Sequence, residues 1–256
     1  MDLGLKGKRA LVTGASKGIG AAVARLLAAE GCNLVLVARS ADRLEALKSE
    51  IAASDPAISV HVIEMDMRAK GAYRTVVREA GPVDILINNA GDVPGGSLLD
   101  VDEERWRAAW DLKVYGYIDL CREVYREMVA RKSGVIVNIV GTAGERPTGG
   151  HIAVASGNAA LIAFSRGLGQ DSVTQGVRVV AVNPGPTETD RQLDRWKAKA
   201  KAQFGDEARW RDYVANYPFG RLARPEEIAA VITFIASERA SYVSGTSVTV
   251  DGGGRR

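Results

Sequence analysis

The fold is decided by the stretch Thr13-Gly14-Ala15-Ser16-Lys17-Gly18-Ile19-Gly20, which follows a short apolar run and opens an amphipathic segment. The run at 9–13 is typical of a strand, and residues 21–30 predict a helix that stops at Gly31. Glycines let the backbone turn sharply and approach a pyrophosphate, while the helix N-terminus offers free N–H groups and a positive dipole end. A glycine cluster alone is weak evidence, but between a strand and a helix it predicts a dinucleotide-binding loop.

The rest of the chain repeats this alternation of strands and helices. Helical patterns lie between the strands, including a long one at about 103–131 and another at about 153–174, and further strands are expected at 33–37, 60–64, 84–88, 135–139, 177–182 and 247–250. Apolar strands alternating with helices indicate a parallel sheet covered on both faces. The prediction is an α/β fold: a single doubly wound Rossmann-type domain over 1–256, with about seven parallel strands and helices on both faces.

Composition excludes several functional classes. Among 256 residues, 34 Lys and Arg against 31 Asp and Glu leave a net charge of +3, too balanced for nucleic-acid binding through charge alone. Two cysteines and two histidines exclude a disulfide scaffold and a Cys- or His-based metal centre. No apolar run approaches the roughly 20 residues of a membrane span, and the N-terminus lacks a signal-peptide pattern. We therefore expect a cytoplasmic protein without metal, membrane or nucleic-acid partners.

Five motifs in order give the chain a resemblance to a known family. They are Thr13-Gly14-x-x-x-Gly18-x-Gly20, Asp66-Met67, Asn88-Asn89-Ala90-Gly91, Asn183-Pro184-Gly185-Pro186-Thr187-Glu188-Thr189 and Val250-Asp251-Gly252-Gly253. Together they resemble the short-chain dehydrogenase/reductases over nearly the whole chain. The resemblance implies a nicotinamide cofactor, a small-molecule substrate and a homo-oligomer, either tetramer or dimer.

The end of the second strand predicts which nicotinamide cofactor is used. An acidic residue there would bind the adenosine 2′-hydroxyl and repel a 2′-phosphate, but the chain has Arg39 beside that position and Lys17 in the glycine loop. Two cations without an acid favour NADP(H) over NAD(H), unless both are ordinary solvated charges. The predicted cofactor contacts are Gly14, Ser16, Lys17, Gly18, Ile19, Gly20, Arg39, Asp66, Met67, Asn89, Ala90, Gly91, Pro184, Gly185, Thr187 and Thr189.

The catalytic set that the resemblance implies departs at all four positions. The family's Asn aligns with Lys113, its Ser with Gly141 (next to Thr142), its Tyr with Val154 and its Lys with Asn158. Asn has become Lys at 113 and Lys has become Asn at 158, which reads as an exchange. We hypothesise that Lys113 keeps a positive charge near the nicotinamide ribose, with Asn158 as its neutral partner. The alternative is drift after loss of activity, with Lys113 reaching solvent.

The exchange leaves the proton donor open, since Val154 cannot transfer a proton. Lys113, with a pKa lowered by desolvation, is the first candidate and His151 the second, while Thr142 could donate a hydrogen bond to a substrate oxygen. Arg146 either holds an anionic substrate group or is a solvated loop residue. A segment at about 190–218 corresponds to the family's substrate flap.

The first functional hypothesis is an NADP(H)-dependent oxidoreductase of the short-chain type, acting on a carbonyl or alcohol substrate with a non-standard catalytic set. The alternatives are a catalytically inert NADP(H)-binding protein, serving as a sensor or complex subunit, and a non-redox lyase or dehydratase that uses the same pocket.

Overall fold

The computed structural model describes residues 1–215 and 217–254. Seven strands form one parallel sheet in the order β3-β2-β1-β4-β5-β6-β7. The strands are β1 (Arg9–Thr13), β2 (Asn33–Ala38), β3 (Val60–Glu64), β4 (Ile85–Asn88), β5 (Gly134–Ile139), β6 (Val177–Pro184) and β7 (Thr246–Val250). The helices are α1 (Gly18–Ala29), α2 (Ala41–Ser54), α3 (Ala72–Ala80), α4 (Glu103–Trp110), α5 (Gly116–Arg131), α6 (Ile152–Asp171), α7 (Asp190–Phe204) and α8 (Pro225–Ala236). The predicted α/β fold class, with seven parallel strands, is confirmed.

Both faces of the sheet are covered, because successive side chains of a strand point to opposite sides. On β1, Ala10 and Val12 pack with residues of α1, α2 and α8. Leu11, between them, packs on the other face with residues of α3 and α5. This explains why the strands read as continuous apolar runs rather than as an alternating pattern.

The strand order reverses between β1 and β4, which both pair with their neighbours in parallel. β1 leads outward to β2 and β3 on one side, whereas β4 leads to β5, β6 and β7 on the other. In open α/β sheets this reversal leaves a crevice at the carboxyl ends of the strands, where ligands bind. The fold therefore places the glycine-rich loop, which follows β1, at the edge of such a crevice.

The predicted long helix at 103–131 is interrupted. α4 and α5 are separated by a π-helical turn, Asp111–Tyr115. A π-helical turn contains one residue more than an α-helical turn, so the side chains of α5 are rotated about the helix axis relative to those of α4. The sequence reasoning had predicted one continuous helix and had not identified this interruption. Such turns occur mostly as single-turn bulges and are frequent at functional sites.

The segment Ile152–Gln175 is long and apolar enough to cross a membrane by length and composition alone. It contains α6, which packs against β6. Buried residues make up 44% of its most apolar 18-residue stretch. A single helix of this length and apolar composition is weak evidence for a membrane span.

Candidate active site

A cleft of about 580 Å³ lies at the carboxyl ends of the strands, where the strand order reverses. It receives the predicted cofactor residues from the ends of five strands: all those listed above except Gly20 line it. The fold therefore gathers in one cleft predicted residues that are separated by up to 175 positions in the chain, from Gly14 to Thr189.

The glycine loop is held in place by the loop that follows β4. Asn89 donates from Nδ2 to the carbonyl oxygens of Thr13 at 3.0 Å and Gly14 at 3.1 Å. In return, Thr13 Oγ1 accepts from the backbone N–H groups of Asn89 at 3.0 Å and Ala90 at 3.1 Å. These four hydrogen bonds fix the two cofactor loops as one unit.

Gly20 does not line the cleft, and its role is to permit this packing. A Cβ at Gly20 would collide with the Gly14 carbonyl oxygen and would lie 2.5 Å from Asn89 Nδ2. Gly14 itself has a φ of +64°, a conformation that L side chains rarely adopt. The two glycines thus allow α1 to begin close to the loop, with its N-terminal N–H groups directed at the cleft.

Three cations line the cleft beyond the ends of β1 and β2. Lys17, Arg39 and Arg43 all line it, and Lys17 and Arg39 are exposed. Within the described residues, the guanidinium of Arg39 forms no hydrogen bond or ion pair with protein. Arg43, on the first turn of α2, was missed by the sequence reasoning, although its position four residues after Arg39 could have identified it.

Asp66 is less free than the sequence suggested. Its carboxylate accepts hydrogen bonds from both Nε and Nη2 of Arg68. These hydrogen bonds hold the pKa of Asp66 below its ordinary value. Arg39 adds a smaller electrostatic effect in the same direction. Asp66 and Met67 line the cleft as predicted.

Lys113 lies in the π-helical turn and reaches into the cleft. Its Nζ donates to the Val140 carbonyl oxygen at 2.7 Å, just beyond the end of β5. Burial, with a smaller contribution from the positive charge of Arg191, lowers the pKa of Lys113 to about 8. The alternative in which Lys113 extends into solvent does not agree with this geometry.

Asn158 and Lys113 both contact the segment that follows β5. The Nδ2 of Asn158 donates to the Gly141 carbonyl oxygen at 3.3 Å, so the two side chains bind the carbonyls of consecutive residues. Asn158 is buried, and its Oδ1 has no hydrogen-bond partner among the described residues. Asn158 does not line the cleft, so it supports the wall from behind.

The other catalytic candidates stand outside the cleft. Thr142 begins a single turn of 3₁₀ helix, and His151 is exposed at the N-terminus of α6, close to Gly95. Neither lines the cleft. Arg146 is committed elsewhere, because it pairs with Asp251 at 2.8 Å and donates to the Gly254 carbonyl oxygen at 2.9 Å.

Val154, which aligns with the family tyrosine, is an apolar residue in apolar surroundings. Val154 packs with Trp106 against Val93, Ala109 and Ala153. The Trp110 indole N–H donates to the carbonyl oxygen of Ala153, a member of this cluster, at 3.1 Å. No proton donor replaces the tyrosine within this cluster.

The segment 190–218, of which position 216 lies outside the described residues, begins with α7 and continues into a 3₁₀ turn, Glu207–Tyr213. The sequence reasoning had left this stretch without assigned structure. From α7, Arg191 donates to the Gly91 carbonyl oxygen at 2.6 Å and Arg195 to the Val93 carbonyl oxygen at 3.1 Å. These contacts hold α7 across the cofactor cleft.

Comparison with known proteins agrees with this geometry. The sequence profile of the short chain dehydrogenase family matches residues 8–200. The chain belongs to the short-chain dehydrogenase family. Its family membership, predicted from the five motifs, is thereby confirmed.

Relatives within the short-chain dehydrogenase family are similar along their full length. The chain is 32% identical over 254 residues to 2,3-dihydro-2,3-dihydroxybenzoate dehydrogenase of Bacillus subtilis (strain 168), covering 98% of this chain and 97% of that one. It is 32% identical over 251 residues to 3-oxoacyl-[acyl-carrier-protein] reductase FabG of Escherichia coli (strain K12), covering 98% of each. These relatives are oxidoreductases, as predicted for this chain.

A solved short-chain dehydrogenase structure has the same fold. L-Sorbose reductase from Gluconobacter frateurii, complexed with NADPH and L-sorbose, superposes with a TM-score of 0.92 at 32% identity, covering 98% of each chain. The NADPH in that complex agrees with the cofactor predicted from Lys17 and Arg39.

Proposed function

We propose that the protein is an NADP(H)-dependent oxidoreductase of the short-chain type, in which Lys113 replaces the missing members of the catalytic set. The observation that carries this proposal is the ammonium group of Lys113 at the wall of the cofactor cleft, 2.7 Å from the Val140 carbonyl oxygen. The substrate class is a small carbonyl compound or alcohol.

The residues of the cleft fit the cofactor. Gly14 and Gly20 leave a cradle that side chains would fill, and α1 directs free N–H groups toward it. Arg39, with Lys17 and Arg43 beside it, supplies positive charge for a 2′-phosphate. The Pro184–Thr189 loop would hold the nicotinamide end, and the bound cofactor would supply or accept hydride at the substrate carbon.

Lys113 has two tasks in this proposal. Its positive charge would take over the family lysine's contact with the nicotinamide ribose, and its pKa of about 8 suits proton transfer near neutral pH. In the reducing direction, the substrate oxygen takes a proton from the ammonium as the carbon accepts hydride. In the oxidising direction, the neutral amine accepts the proton from the alcohol.

Asn158 and Gly141 support the exchanged arrangement. Asn158, the other exchanged residue, donates to the Gly141 carbonyl oxygen, and Lys113 donates to the Val140 carbonyl oxygen. Gly141 has a φ of +126°, so the loop has a backbone conformation that a serine would strain. The departures at 113, 141 and 158 are therefore mutually consistent.

A second candidate function is a catalytically inert NADP(H)-binding protein. It is favoured by Val154, which packs among apolar residues where the family's tyrosine would stand. The two candidates share the cofactor and differ only in turnover. Thr142 and His151 contribute to neither in this arrangement. The single domain, the flap at 190–218, the homo-oligomer and the cytoplasmic location remain predictions.

The test is consumption of NADPH in the presence of 3-oxoacyl thioesters and ketoses, the substrate types named for the relatives. We expect turnover by the wild-type protein and by Lys48→Ala, a control whose exposed lysine pairs with Glu45. Lys113→Ala should reduce kcat by about 100-fold or more, the usual contribution of a general acid. Equal turnover by Lys113→Ala would refute the role of Lys113. Tight NADPH binding without turnover on any compound would favour the inert protein.

A further inference from the structure

A second cavity, of about 500 Å³, adjoins the cofactor cleft. The two share the lining residues Arg39, Asp92, Leu112 and Arg195, so they lie side by side. The remainder of the second cavity belongs to elements that the cofactor residues do not include, namely Arg68, the 94–95 loop and one side of α4 around Arg105. Its volume lies within the range of small-molecule sites, about 300–1,000 Å³.

The lining of this cavity is strongly cationic. Four of its side chains are guanidinium groups, from Arg39, Arg68, Arg105 and Arg195, and one is a carboxylate, from Asp92. The other lining residues are small or apolar. A concave surface that gathers charges of one sign over apolar walls concentrates ions of the opposite sign.

The protein neutralises this charge only in part. Arg68 pairs with Asp66, and Asp92 is shared between Arg191 at 3.4 Å and Arg195 at 3.6 Å. Within the described residues, the side chain of Arg105 has no hydrogen-bond or ion-pair partner, as is also true of Arg39. In the described part of the chain, two of the guanidinium groups that line the cavity therefore have no protein anion.

We propose that this cavity is a second anion-binding subsite, which holds the phosphate or carboxylate group of a small molecule while NADP(H) occupies the cleft. Guanidinium groups bind such anions through paired N–H donors. Arg39 belongs to the cofactor's 2′-phosphate, and Arg105 and Arg195 hold the second anion. The proposal rests on the proposed function only in that NADP(H) fills the cleft.

The test is calorimetric titration of pyrophosphate into the protein saturated with NADPH, with NADPH binding measured separately by fluorescence. We expect one pyrophosphate per chain, and binding about tenfold weaker in Arg105→Ala, as for loss of a charge-assisted hydrogen bond. Arg107→Ala is the matched control, because Arg107 lies on the same helix, pairs with Glu103 and does not line the cavity. That variant should bind pyrophosphate as the wild type does.

Three results would overturn the proposal: no pyrophosphate binding to the NADPH-loaded protein, equal binding by Arg105→Ala, or equal losses in Arg105→Ala and Arg107→Ala. In the first case, pyrophosphate binding to the cofactor-free protein alone would place the anion in the cofactor cleft. If NADPH itself does not bind, the proposed function fails. The titration of the cofactor-free protein then still tests the cavity through the same two variants.

Discussion

At the scale of single residues, the site depends on where positive charge is placed. Lys113 and Arg39 illustrate the two cases: one ammonium is partly buried in the cleft wall, and one guanidinium is exposed and has no partner among the described residues. The first has a perturbed pKa because burial penalises the charged form. Under the proposed function, the second binds the 2′-phosphate of the cofactor.

Lys113 makes the stability of the protein depend on pH in the alkaline range. Its pKa is about 8 in the folded protein and 10.5 in the reference state, so the unfolded chain binds more protons between these values. The free energy of unfolding of the wild-type protein should therefore rise with pH, relative to Lys113→Met, by up to about 1.4 kcal/mol per pH unit. Urea denaturation of both proteins between pH 8 and 10 measures this difference. A constant difference would contradict the buried ammonium.

Arg39 should decide between the two nicotinamide cofactors. Arg39→Ala removes a charge-assisted contact to the 2′-phosphate, and we expect NADPH binding to weaken by about tenfold or more while NADH binding changes little. Arg39→Asp should reverse the preference. Fluorescence titration with both cofactors checks this, with Arg25→Ala as the control, since Arg25 is paired with Glu50 on α1 and α2. Unchanged NADPH affinity in Arg39→Ala would remove the basis for choosing NADP(H).

The sequence was enough to predict which residues belong to the site, but not which atoms those residues contact. The sequence identified Lys113 and Asn158 because they differ from the residues that the family has at these catalytic positions. It identified Arg39 because this residue stands beside the position of the expected acidic residue. That Lys113 and Asn158 bind consecutive carbonyls depends on how α6 and the π-helical turn pack around the end of β5. The pairing of Arg146 with Asp251 was equally out of reach, because it joins residues 105 positions apart through tertiary packing alone.

At the scale of elements, the strand–turn–helix unit around the glycine loop is the part that the sequence predicted best. Its glycines are required by the contact between α1, the loop and Asn89. The interruption between α4 and α5 could not be predicted in the same way. A π-helical turn preserves the helical pattern of apolar residues on either side and shifts only their relative rotation.

Gly20→Ala tests the packing of the glycine loop. The added methyl group would collide with Gly14 and crowd Asn89, and we expect a loss of about 1–3 kcal/mol in the free energy of unfolding, as for overpacked positions. NADPH binding should weaken as well, because the loop must shift. Gly149→Ala is the control, since a Cβ there meets nothing within 4 Å. Thermal denaturation that shows equal stability for the two variants would contradict the described loop.

The aromatic cluster of the flap should hold α7 in place. Trp196 lies 6.3 Å from Trp210, 6.3 Å from Tyr213 and 5.5 Å from Tyr217, measured between ring centroids. Trp196→Ala removes the ring common to these pairs, so trypsin should cleave within 190–215 about tenfold faster or more, through local opening. Tyr242→Ala, at a fully exposed position, should leave cleavage unchanged. Cleavage of Trp196→Ala at the wild-type rate would show that the cluster does not fix the flap.

At the scale of the whole molecule, the alternation of apolar strands and helices was enough to predict the seven-stranded parallel sheet. The crevice then follows from the reversal of strand order, which gathers loops from six strand ends. The second, arginine-lined cavity was not predictable, because Arg39, Arg68, Arg105 and Arg195 are scattered along the chain and converge only through the fold. Charge balance over the sequence conceals such local accumulation.

The central claim is that the cleft holds NADP(H) against the ammonium of Lys113. The most direct measurement is a fluorescence titration of the wild-type protein and Lys113→Ala with NADPH and NADH. We predict that the wild type prefers NADPH and that Lys113→Ala binds it about tenfold more weakly, a difference of about 1.4 kcal/mol. NADPH binding that is equally tight without Lys113 would contradict its place beside the cofactor, and binding of neither cofactor would contradict the account as a whole.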